Sequence, residues 1–139
     1  MKSSDKKFNL VKSSFNIIEK IGWKSFSLQT LSDTEKIPIN EIKLFFKSEI
    51  TVLDEFSKMI DIKVEKSFDY EELTKTSVKD NLFELIMLRL EYMQPYRNAL
   101  KSIKSSFKSD PLVAKSVAKN VMNSLDFYLE LTNAFNDSF

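Results

Sequence analysis

The 139-residue chain contains no cysteine, no histidine and only one glycine. Without cysteine there is no disulfide framework, no thiolate metal site and no thiol nucleophile. Without histidine the commonest general base and the commonest transition-metal ligand are gone, and no serine–histidine–aspartate triad can form. An enzyme built from what remains would need paired carboxylates or an activated lysine, and no spacing singles out such a pair. The chain therefore reads as a non-enzyme that needs no cofactor. Long apolar runs are also missing. The longest, LIMLRL, is interrupted by Arg89 and is too short to span a bilayer. MKSSDKKF at the amino terminus has charge but no following apolar core of the signal-peptide type. A cytoplasmic protein without a membrane span is expected. There is no glycine-rich phosphate loop, no useful strand-like alternation and no internal repeat.

What is present is helical pattern and uneven charge. The net charge is +1, but residues 1–48 carry nine lysines against five acids, whereas residues 49–139 carry twelve Lys/Arg against fifteen acids. A basic first part on an acidic remainder fits a nucleic-acid head on a neutral body, and it also fits ordinary scatter of lysines on solvated faces. Phe8, Val11, Phe15 and Ile18 recur at helical spacing up to Gly22, which falls where a helix C′ residue should adopt the left-handed conformation. Ser27 is placed to cap the next helix, and Pro38 to open the one after it. Two helices of about eight residues joined by three or four have helix-turn-helix spacing. Trp23 and Phe26 are expected to plug the core between the first and fourth helices. Leu28, Leu31, Ile42, Phe45 and Phe46 are the inward residues of the short helices.

From Leu10 to Leu53 the chain resembles the amino-terminal domain of TetR/AcrR-type regulators. LVKSSFNIIEKIGWKSFSLQTLS follows that family's first helix, its glycine, the aromatic after it, the Ser/Thr cap and the start of helix 2. FFKSEITVL follows the family's lead into helix 4. The resemblance implies an all-α fold: a three-helix helix-turn-helix head over residues 1–48, joined by a long helix to a bundle over 49–139 that binds ligand and dimerises. It implies a homodimer on double-stranded operator DNA, controlled by a small apolar ligand. Asn40 would read a base edge, Lys43 and Lys47 would contact phosphate or guanine beside Ile39, and Lys24, Ser27 and Gln29 would sit over backbone phosphates. The same residues also fit as plain exposed polar groups on short helices. The chain departs from the family in four places. Glu35-Lys36 stands where the family has Ala-Gly, Pro38 replaces a serine, Lys43 a tyrosine and Glu49 a phosphate-binding lysine. Glu41 and Glu49 would repel phosphate.

Helix 4 is expected from Glu49 to Phe68, with Val52, Leu53, Phe56, Met59, Ile60 and Val64 inward. FDYEELTKTS then reads as a solvated linker. Its Asp69, Glu71 and Glu72 do not make a calcium loop. The next helix, about Val78 to Gln94, is apolar over most of its circumference and must be covered on several sides, while Arg89 within it needs a carboxylate or carbonyl partner unless it snorkels outward. Pro95 and Pro111 look like first-turn residues, with Asp110 as a cap for the second. From Pro111 to about Asn136, Val113, Val117, Val121, Leu125, Tyr128, Thr132 and Phe135 form one stripe. A stripe this wide suits a homodimer through this helix and its neighbour.

VKDNLFELIMLRLEYMQPYRNALKSI is similar to a second branch of the same fold, the TetR-like lipid-binding accessory proteins of ubiquinone biosynthesis, through Met87, Arg89, Gln94, Pro95 and Arg97. That likeness implies a binder of an isoprenoid or similar lipid with a vestigial head. In either case Phe83, Met87, Leu90, Met93, Phe127, Tyr128 and Leu131 are the expected pocket, and plain core packing accounts for each of them equally simply.

Overall fold

The structure, a computed structural model, describes residues 3–68 and 77–132. Among these it is all-helical: α1 (Ser3–Ile21), α2 (Leu28–Glu35), α3 (Ile39–Phe45), α4 (Glu49–Ser67), α5 (Val78–Met93), α6 (Arg97–Ser105) and α7 (Pro111–Leu131). Short 3-10 turns cover Trp23–Ser25 and Gln94–Tyr96. Asp69, Glu71, Glu72 and Phe135 lie outside the described residues.

Local chemistry sets most of the boundaries. The Ser27 hydroxyl accepts from the Thr30 amide at 3.0 Å and caps α2. Asp110 caps α7 through the Val113 amide, with Pro111 as the first helical residue. Pro38 stands one place earlier than expected: it is itself the cap of α3, and its carbonyl accepts from the Glu41 and Ile42 amides. Gly22 also departs from expectation. Its φ of 86° is positive, but its ψ of 156° is extended rather than left-handed helical, a region essentially reserved to glycine. The left-handed helical residue is Lys36, at φ 55° and ψ 42°, which closes α2 by donating its amide to the Ser32 carbonyl.

One hydrophobic cluster runs from Leu10 to Tyr128. Its centre is aromatic. Phe15 of α1 stacks on Phe56 of α4 with ring centroids 4.1 Å apart, and Tyr96 meets both rings edge-on, the preferred geometry for such pairs. Ser14 of α1 is fully buried and returns its hydroxyl to the Leu10 carbonyl, so a small residue here lets the helices approach closely. Trp23 and Phe26 are buried as expected. The Trp23 amide also donates to Ser102 Oγ of α6 at 2.9 Å, which ties the turn after α1 to the second half of the chain.

The partner that Arg89 requires is Asp61 of α4, 2.7 Å away. The same carboxylate accepts from Ser124 and Tyr128 of α7, each at 2.7 Å, while Arg89 also donates to Ser57 at 3.1 Å. Burial, then the bond to Asp61, push the Tyr128 phenol above its ordinary range. Asp54, about two turns earlier on α4, accepts from Ser116 and Asn120 of α7, both at 3.0 Å.

α5 is less covered than its composition suggests. Asn81 and Leu85 are its buried residues, and Phe83, Met87 and Leu90 face solvent. α7 turns Val113, Ser124 and Tyr128 inward, with Val121 and Met122 exposed, so the expected stripe is split between core and surface.

Two stability outcomes follow. Lys36→Gly removes a side chain from a left-handed position and is expected to stabilise the fold by ~1 kcal/mol in urea denaturation followed by Trp23 fluorescence. Asp61→Leu leaves the half-buried Arg89 cation without its partner and is expected to cost about 3–5 kcal/mol, while adding Arg89→Met restores most of the loss.

Candidate nucleic-acid interface

α2 is amphipathic. It buries Leu28, Leu31 and Ser32 and leaves Gln29 outside. α3 buries Ile42, and Phe46 just after it is fully buried, whereas Phe45 is half-buried rather than enclosed. Helical geometry places Leu44, about 200° round the helix from Ile42, on the outer face, where it is 84% exposed. Asn40 and Lys43 share that exposed side. An exposed leucine four residues from Asn40 was not among the expected site residues, yet the same spacing that puts Ile42 inside points to it.

The structure brings most of the expected residues together. Ser27, Gln29, Ile39, Lys43 and Lys47 line one groove of about 360 Å³ with Leu28, Ser48 and Glu49. Lys24 lines an adjoining hollow with Trp23 and Phe26 that shares Ser48 and Glu49 with the groove. Asn40 stands outside both, exposed on α3. Two groups are already engaged locally: the Ser27 hydroxyl in its cap, and the Gln29 amide with Asp33 at 2.9 Å. Lys43 and Lys47 form no ion pair with any described residue.

Glu49 is the unexpected member. It is the first residue of α4, and its Oε2 accepts a hydrogen bond from the Leu28 amide at 3.0 Å. A carboxylate therefore occupies the amino-terminal end of α2, where unpaired backbone N–H groups and the helix dipole favour negative charge. It lies close to the amino end of its own helix as well. This is where a phosphate docking on α2 would place an oxygen. Glu41, the other acid that opposes an anion, is paired with Lys6 of α1, whose ammonium also lies over the Phe45 ring.

The expected ligand residues do not form one enclosed pocket. Phe83, Met87 and Leu90 are 65%, 42% and 52% exposed, because the opposite side of α5 supplies Asn81 and Leu85 to the core. Tyr128 is buried with its hydroxyl committed to Asp61. Phe127 and Leu131 pack half-buried against the core. Met93 alone of the seven lines a cleft of about 70 Å³ walled by α1, α4, α5, α6 and α7, whose polar corner is Ser57, Arg89 and Asn120. No cluster of acids able to hold a metal ion occurs among the described residues, nor does any helix there have the length and apolarity to cross a membrane.

Comparison with protein-family models, curated proteins and solved structures finds no match to this chain.

Removing the inter-helix cap exposes its worth. Glu49→Ala is expected to lower stability by ~1 kcal/mol and to speed hydrogen exchange at the Leu28 amide, measured by NMR on the full chain.

Proposed function

We propose that this protein is a double-stranded DNA-binding transcriptional regulator of TetR/AcrR type, working as a homodimer. The observation that carries this reading is the convergence of Ser27, Gln29, Ile39, Lys43 and Lys47 on one groove between α2 and α3. Cations, a hydroxyl, an amide and a helix amino terminus are the groups that hold a phosphate backbone. α3 lies in the major groove in this reading. Asn40 pairs with adenine, and Leu44 makes apolar contact with a thymine methyl. Lys43 and Lys47 supply the salt-dependent part of the affinity.

Dimerisation uses the exposed apolar residues of α5 and α7: Phe83, Met87 and Leu90 with Val121 and Met122. Two copies joined there present two heads to half-sites one helical turn apart, about 34 Å. A small apolar ligand would control their spacing. The 70 Å³ cleft beside Met93 is far below the ~300–1,000 Å³ of typical ligand sites, whereas an open groove of about 350 Å³ lined by Leu90, Met93 and Leu100 lies within that range.

A second reading keeps the apolar face of α5 for a lipid, as in the TetR-like accessory proteins of ubiquinone biosynthesis, with the head inactive. Glu49 favours it, since a fixed carboxylate in the groove repels phosphate.

Fluorescence anisotropy with DNA from the protein's own upstream region, across a salt series, separates the two. The regulator reading predicts specific binding that weakens with salt and is lost in Asn40→Ala/Lys43→Ala. It also predicts that Glu49→Gln tightens binding about fivefold, the effect of ~1 kcal/mol of relieved repulsion. Binding no stronger than to random duplex at low salt would leave the lipid reading.

A further inference from the structure

A second cluster of cations lies well outside the α2–α3 groove. α1 and α4 pack side by side and leave between them a groove of about 510 Å³. Its residues come from one face of each helix, at spacings of three and four in both. Phe8, Met59 and Ile62 supply an apolar floor, and Lys12, Lys63 and Lys66 stand round it. Asp5 is the only acid among the lining residues. None of the three lysines is ion-paired with a described residue. Lys63 reaches the Tyr92 ring instead, 6.0 Å from its centroid.

Lys63 is half-buried beside this apolar surface and within reach of the charge on Lys12, while Lys12 and Lys66 are exposed at the rim of the groove. Lys63 registers this: burial, then the charge of Lys12, lower its pKa. An arrangement that costs energy when empty becomes favourable when an anion of more than one charge arrives, because each lysine then gains a counter-charge while the repulsion is cancelled. The apolar floor adds a second requirement, for a hydrocarbon body attached to that anion. The volume is within the usual range for small-ligand sites, ~300–1,000 Å³.

We propose that the α1–α4 groove binds a soluble phosphate monoester carrying an apolar chain. The phosphate lies among Lys12, Lys63 and Lys66, and the chain covers Phe8 and Ile62. Such a ligand braces the first helix against the fourth. This site does not depend on whether α3 reads DNA, and its failure would leave that reading untouched.

Isothermal titration of the full chain with monododecyl phosphate below its micelle concentration tests the proposal. Saturable one-to-one binding is expected, with much weaker binding of inorganic phosphate and none of dodecyltrimethylammonium. Lys63→Gln/Lys66→Gln is expected to weaken binding at least tenfold. The same variant, free of ligand, is expected to melt at the same or a higher temperature than the parent, because a repulsion has been removed. Unchanged affinity in the variant would overturn the proposal, as would equal binding of the cationic amphipath or no binding to the parent.

Discussion

The carboxylate of Asp61 is the point at which the helical body is tied together. It sits on α4 and receives Arg89 from α5 and Ser124 and Tyr128 from α7. With Ser57 as a further partner of Arg89, every polar group drawn into this interior contact is satisfied, and no buried side-chain polar atom among the described residues lacks a partner. A network of this kind adds less net stability than its bond lengths suggest, because both ions lose water. What it adds is geometric: α4, α5 and α7 can assemble in the one register that pairs these groups. Asp54 repeats the device nearer the amino end of α4, toward the start of α7.

The amino-terminal helices are held by different means. Aromatic stacking between Phe15 and Phe56 fixes α1 on α4, and Trp23 reaches α6 through Ser102. α2 and α3 then hang on the small cluster of Leu28, Leu31, Ile42 and Phe46, and Glu49 staples the start of α2 to the start of α4. That staple stands at the place where an anion would dock. The groove thus carries two lysines that attract phosphate and one carboxylate that mimics it. On the proposed reading, affinity for nucleic acid would rest on the balance between them, and a duplex would have to displace or tolerate Glu49 to use the Leu28 amide.

Much of this was legible from local pattern. The start of α4 at Glu49 and its inward set from Val52 to Val64 follow from spacing alone, and its end at Ser67 falls one residue short of the expected Phe68. The Ser27 and Asp110 caps were equally plain, and so was the need of an inward Arg89 for a carboxylate or carbonyl partner, because each depends on near neighbours or on the cost of an unpaired charge. What was hidden depends on separation along the chain. Glu49 meets Leu28 across 21 residues, and Asp61 meets Tyr128 across 67. No periodicity reveals such pairs. The apolar wrap of α5 misled for a related reason. Composition shows that Phe83, Met87 and Leu90 are apolar, but only the packing of Asn81 and Leu85 shows which side of the helix faces inward. The groove residues were legible as types on a short helix, while their convergence beside Glu49 was not.

The most direct measurement is amide chemical-shift mapping of the isotope-labelled full chain, titrated with a duplex from its own upstream region. Binding through the α2–α3 groove predicts perturbations at Leu28, Gln29, Asn40, Lys43 and Lys47, with Leu28 among the largest as its amide exchanges Glu49 for a phosphate oxygen. Perturbations confined to α5 and α7, or none at these five amides under conditions where the duplex is bound, would contradict the account.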